Sequence, residues 1–134
     1  MVKRVSPQEA KDLIDQQGYV YVDVRSIPEF DAGHPTGAYN VPLNHMGAMG
    51  MAPNPEFMAV MEKAFPRDAK LVLGCQGGGR SLRAAGMLEQ AGWADVVDQR
   101  AGFQGHGEPG WRPAGLPVSN EAPEDHTYEG LKKR

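Results

Sequence analysis

The stretch from Lys70 to Asp98 constrains the fold of this chain more than any other. Lys70–Gly74 is a short apolar run of the kind that makes a buried strand, and Gly77, Gly78 and Gly79 follow it as a turn. Ser81–Ala91 then carries Leu82, Ala85 and Leu88 at helical spacing, with Gly92 as its stop, and Ala94–Asp98 is a second strand. Two strands joined through a helix pair in parallel, because an antiparallel pair needs only a tight turn. The stretch is therefore a βαβ unit.

The rest of the chain repeats this alternation. Ser6-Pro7-Gln8-Glu9 has the form of a capping box with proline in the first turn, Ala10, Leu13 and Ile14 continue a helix, and Gly18 ends it. Tyr19–Val24 reads as a strand, Pro28–Ala32 as one helical turn before Gly33, and Ala38–Val41 as a short strand stopped by Pro42. Leu43–Pro53 reads as a loop, broken by Gly47, Gly50 and Pro53. Asn54-Pro55 opens a helix in which Phe57, Val60, Met61, Ala64 and Phe65 form one apolar face. Helices alternating with strands give an α/β fold with a largely parallel sheet. The pattern fails after Gly102: residues 105–117 are dense in glycine and proline, and residues 119–134 read as a polar, mobile tail behind a single domain over residues 1–118.

Composition narrows the function classes. The 134 residues are enough for one domain with a real core, and 40% hydrophobic with 23% charged residues describes a soluble globular chain. A net charge of −3 makes no case for nucleic acid or an acidic membrane surface as partner. A single cysteine rules out an internal disulfide and any metal site built on several thiolates, and it favours a reducing compartment. With no signal-like or membrane-spanning stretch in the sequence, a cytoplasmic location is expected.

That cysteine lies in Leu71–Ser81, LVLGCQGGGRS, at the turn from a strand into a helix. In open α/β sheets ligands bind at this carboxyl edge. The first N–H groups of the helix have no partners within it, and its dipole places positive charge there. Gly77, Gly78 and Gly79 allow the backbone to turn left-handed and curl its N–H groups into an anion nest, and Arg80 adds a permanent charge. All these terms favour a thiolate at Cys75, the nucleophilic form of the side chain. The competing reading is a buried structural cysteine at a strand end. Only Gln76, Gly77, Gly78 and Gly79 separate Cys75 from Arg80, a tighter ring than the five-residue spacing of the tyrosine phosphatases and better matched to one extra sulfur atom than to a phosphate.

CQGGGRS, together with VDVRSIPEFDAGHPTGAYNVP over residues 22–42, resembles the rhodanese family of sulfurtransferases. The similarity covers Ser6 to Pro117 and is closest to the small single-domain thiosulfate sulfurtransferases. It implies a five-stranded parallel sheet with helices on both faces. It also implies transfer of the outer sulfur of thiosulfate to Cys75 as a persulfide, then to cyanide or to a thiol such as glutathione or thioredoxin, with no metal or organic cofactor. In that scheme Gln76, Gly77, Gly78 and Gly79 cradle the sulfur, Arg80 holds the sulfonate, and Ser81 donates to the persulfide or caps the helix. The sequence departs from the family's Gly-Gly-x-x-x-Trp segment at Ala101–His106, with Trp111 further on, and has Pro35 after Gly33-His34.

Other residues carry two readings each. Arg25 reads first as half of a structural ion pair, with Glu29 as partner, and second as positive field near the loop. His34 reads as a structural hydrogen-bonding group, Trp93 as core, and Arg100 and Phe103 as pocket walls. His45, Met46, Met49 and Met51 suggest a copper(I) site, although methionines beside an apolar helix more often fill gaps or line a pocket. A phosphatase or arsenate reductase on the same fold, and a carrier that receives a persulfide only from a partner protein, are the competing functions.

Overall fold

The computed structural model describes residues 1–134. In chain order the first half holds β1 (Lys3–Val5), α1 (Pro7–Gln17), β2 (Val20–Asp23), α2 (Ile27–Ala32), β3 (His34–Pro35), β4 (Tyr39–Asn40), β5 (Asn44–Gly47), β6 (Gly50–Pro53) and α3 (Phe57–Ala64). The second half holds β7 (Lys70–Gly74), α4 (Gly79–Gln90), β8 (Asp95–Gln99), β9 (Val118–Ser119), a 3-10 turn (Glu124–His126) and α5 (Tyr128–Lys132). The expected α/β fold is present: five parallel strands stand in the order β1-β8-β7-β2-β4, with β7 at the centre.

Strand alternation divides the core between the two faces of this sheet. Val22, Val24, Leu71 and Leu73 pack with Met61 of α3, Leu88 of α4 and Leu131 of α5. Tyr21, Val72 and Val97 pack with Ala10 of α1, Phe30 of α2 and Trp111. The capping box at α1 is formed: the Glu9 N–H donates to Ser6 Oγ at 3.1 Å and the Ser6 N–H to Glu9 Oε1 at 2.8 Å. The helix ends at Gly18 with φ +75°.

Three expectations change, and one strand is added. The N-terminal residues form β1, an edge strand that only pairing reveals, since Val5 is its single buried residue. Leu43–Pro53 is not a loop: β5 and β6 pair antiparallel, with Met46 opposite Met51 and Gly47 opposite Gly50. The base of this hairpin is tied by the Asn54 N–H to Leu43 O at 2.9 Å. Its strands are mostly exposed, so no apolar alternation marks them in the sequence. On α4 the buried face is Ser81, Ala84, Ala85 and Leu88, while Leu82 stands 37% exposed, because the helix lies close to the sheet on its small residues. The tail over residues 119–134 is packed rather than mobile. Thr127 Oγ1 caps α5 by accepting the Gly130 N–H at 3.2 Å, and Tyr128 and Leu131 are buried against α3. Two anchors in a five-residue helix are too few to show a period.

Candidate functional site

Cys75 follows β7 directly, at the carboxyl edge of the sheet. Its neighbours along that edge are held backbone to backbone. The Val24 N–H donates to Gly74 O at 2.9 Å, Leu43 N–H to Val24 O at 3.0 Å, and Phe103 N–H to Cys75 O at 2.7 Å. Residues 75–78 then curl so that the Gly78 N–H points at Cys75 Sγ, 3.0 Å away. Cys75 is 2% exposed and belongs to the same core cluster as Val24 and Leu43.

Of the three loop glycines only Gly78 is left-handed, at φ +101°. A Cβ there would stand 2.2 Å from Arg100 O, so both backbone conformation and space require glycine. Gly77 and Gly79 keep ordinary backbone angles. Gly78 is also the cap residue of α4, which places Arg80 and Ser81 in the first turn of that helix.

Gln76 through Ser81 form the turn from β7 into α4, and two of them have partners other than the sulfur site. Arg80 does not aim its donors at the loop interior. Its Nη1 and Nη2 form a fork on Glu29 Oε1 and Oε2 at 2.8 and 3.0 Å. Burial opposes the charge on Glu29, yet the Arg80 fork, the Ser26 N–H and the Ser26 hydroxyl outweigh it and hold the carboxyl down to about 2. The loop arginine is thus a strut between α4 and α2. Ser81 neither caps the helix nor reaches Sγ. Its hydroxyl donates to Asp98 Oδ1, and Asp98 Oδ2 accepts Arg4 Nε at 2.8 Å. Burial pushes the Asp98 carboxyl up, against the pull of Ser81 and Arg4.

Arg25 pairs with Asp23, not with Glu29, at 2.7 Å between Nη2 and Oδ2. It is 3% exposed and also donates from Nη1 to Gln76 Oε1 at 3.1 Å, with its guanidinium 4.4 Å from the Phe103 ring. Arg25 is thus the ion-pair partner of Asp23 and a hydrogen-bond donor to the loop side chain of Gln76. His34 is structural, with Nδ1 at 2.7 Å from Phe30 O and Nε2 at 2.9 Å from Glu121 O. Trp93 is core, under Arg67.

Two open clefts flank the loop. The larger, about 520 Å³, has Gly77, Gly78 and Gly79 as floor and Arg4, Arg100 and Glu108 among its walls. The smaller, about 200 Å³, lies by Gln76, Phe103 and Arg25. Arg100 and Phe103 are thus walls, of different clefts. Arg4, Glu108 and Asp98 are the residues that sequence reasoning missed. Nothing near them in the chain marks them: the parallel sheet brings Arg4 of β1 beside Asp98 of β8, and the turn closed by the Gly105–Pro109 bridge carries Glu108 to Arg100. The methionines of the hairpin are not gap fillers: Met46, Met49 and Met51 are 52%, 100% and 42% exposed. The hairpin register sets His45 opposite Ala52, on the other face from the Met46–Met51 pair.

Known proteins resemble this chain in sequence and in fold. The rhodanese-like domain family model matches residues 6–107. The chloroplastic thiosulfate sulfurtransferase 16 of Arabidopsis thaliana is 40% identical over 114 residues, 85% of this chain and 90% of that protein. The senescence-associated protein DIN1 of Raphanus sativus is 39% identical over 88 residues, 66% of this chain and 48% of that protein, so the match spans about half of that relative. The crystal structure of Rv0390 from M. tuberculosis superposes with a TM-score of 0.76 at 27% identity, over 90% of this chain and 98% of that one. Relatives of this kind support sulfurtransferase activity at the level of the family. By the match to its sequence, the five-stranded parallel sheet and the cysteine loop at the end of the central strand, this chain belongs to the rhodanese-like domain family.

Proposed function

We propose that the protein is a thiosulfate sulfurtransferase working through a persulfide on Cys75. The observation that carries this reading is the Gly78 N–H directed at Cys75 Sγ from 3.0 Å, inside a glycine loop that opens a twelve-residue helix. An amide and a helix N-terminus at that position stabilise negative charge as it develops on the sulfur through the transfer and again on the persulfide. The 40% identical relative is named for this reaction.

The chemistry balances in two steps. The Cys75 thiolate attacks the outer sulfur of thiosulfate, the bond from that sulfur to the sulfonate breaks, and sulfite leaves with the electron pair. Cys75 keeps the transferred sulfur as an ionised persulfide. Cyanide then attacks this outer sulfur, the S–S bond breaks, thiocyanate departs and the electron pair returns to Cys75. A thiol acceptor gives an acceptor persulfide in the same way. Arg80, with its fork on Glu29, positions the first turn of α4 and so the amides of the loop.

The phosphatase reading is weaker, because four residues between Cys75 and Arg80 leave a smaller ring than a phosphate requires. Mass spectrometry after incubation with thiosulfate tests the proposal. The expected result is a gain of one sulfur atom on the protein, removed by cyanide as thiocyanate and absent in Cys75→Ser. No gain of sulfur, or an equal gain in Cys75→Ser, rejects it. A persulfide that forms only with a partner protein present assigns the chain to the carrier class.

A further inference from the structure

We infer that the tip of the β5–β6 hairpin is a site for a soft monovalent metal ion of the copper(I) class, with the thioethers of Met46, Met49 and Met51 as its ligands. The site lies outside the sulfur transfer proposed above and does not depend on it.

The register brings the ligands together. A two-residue turn, Ala48-Met49, joins the strands, and Met46 stands directly across from Met51. Opposed residues of an antiparallel pair share one face, with their Cβ atoms about 4.5–5.5 Å apart. An unbranched thioether with three rotatable bonds adapts to such a gap. Met49 is in the turn, two residues and at most about 7 Å of backbone from Met51. All three methionines are exposed, and Gly47, Ala48 and Gly50 between them carry nothing larger than a methyl group. The frame is fixed at its base. The Asn54 N–H donates to Leu43 O at 2.9 Å, and Asn54 Nδ2 donates to Pro42 O at 2.9 Å and to the Tyr128 hydroxyl at 3.0 Å.

The donor set selects the ion. No Asp, Glu, Lys or Arg occurs between Asp31 and Glu56, so the hairpin offers no carboxylate to a hard cation such as magnesium or calcium. Thioethers are soft ligands and suit copper(I). His45, the other metal-binding side chain of the segment, is on the opposite face. It pairs with Ala52, and its ring meets that of Tyr128 at 5.6 Å between centroids, so the site is built from sulfur alone. The strands also lack what an exposed pair ordinarily carries, the charged side chains that keep other chains off its edges. A patch that docks a protein is typically anchored by Trp, Tyr or Arg, and residues 44–53 contain none of them.

The test uses Ag(I) as the probe, since it shares the softness of copper(I) and resists oxidation by air. In the full-length Cys75→Ser protein no thiolate competes for it. NMR of the methionine methyl groups is expected to show shifts at Met46, Met49 and Met51 that saturate at one equivalent. The methyl group of Met87, an exposed methionine alone on α4, is expected to stay in place, as are all of them with Zn(II). In the wild-type chain the same shifts are expected once Cys75 has taken its own equivalent. Met46→Leu and Met51→Leu keep the apolar volume and remove one sulfur each, and affinity is expected to fall about tenfold in each. Hairpin methyl groups that ignore Ag(I) overturn the site, the result expected of a patch that only docks another protein. An equal shift at Met87, which marks adventitious thioether binding, also overturns it. So does an equal response to Zn(II), or undiminished affinity in both leucine variants.

Discussion

At the residue scale the site depends on one backbone conformation. Gly78 turns left-handed to bring its N–H onto Cys75 Sγ and presents its Cα face to Arg100 O. Gly78→Ala therefore meets both the penalty for a side chain in the left-handed region, roughly 1–2 kcal/mol, and a collision with backbone. The expected outcome is a lower melting temperature together with loss of persulfide formation in the thiosulfate incubation. Gly79→Ala is the contrast. The first helical residue has open space around it and no left-handed angle, so the substitution is expected to hold or raise stability, by about 0.4–1 kcal/mol at most. Equal destabilisation of the two variants in thermal unfolding would show that loop geometry is not what requires glycine at Gly78.

At the element scale α5 converts a polar terminus into part of the core. Leu131 is fully buried and Tyr128 nearly so, and the Tyr128 hydroxyl accepts from Asn54 Nδ2 at 3.0 Å, tying the terminus to the residue that closes the methionine hairpin. Leu131→Ala is expected to destabilise the protein by about 2–5 kcal/mol, the usual range for a buried leucine, measured as a shift of the urea midpoint. A change below about 0.5 kcal/mol, the range for surface substitutions, would return the segment to the status of a free tail. The hairpin shows the converse case, an element whose strands bury little and whose existence rests on register and on the Leu43–Asn54 tie at its base.

At the scale of the whole molecule, two carboxylates at the loop act on acid stability with opposite signs. Glu29 is held down to about 2 in the folded protein despite partial burial, chiefly by Arg80. Its contribution is present above its unfolded value near 4.5 and is lost as pH falls toward about 2. Asp98 is raised by burial, so its charge disfavours the folded state, and lowering the pH through its folded value relieves that strain. Glu29→Gln is expected to flatten the fall in stability between about pH 4.5 and pH 2, read as urea midpoints across that window. An unchanged slope would remove the Arg80–Glu29 strut from acid unfolding.

Much of the site was legible in the chain because it is local. A strand, a cysteine, three glycines and an arginine in succession mark a loop at a strand end. The βαβ alternation was legible for the same reason, since periodicity is a property of neighbouring residues. Tertiary structure alone decided what the loop's side chains meet. Sheet order set β1 beside β8 and so brought Arg4 to Asp98, and the placement of α2 gave Arg80 to Glu29 and left Asp23 for Arg25. The physical reason is that a backbone conformation is chosen by its own residues, whereas the partner of a charge is chosen by whatever the fold brings within about 4 Å.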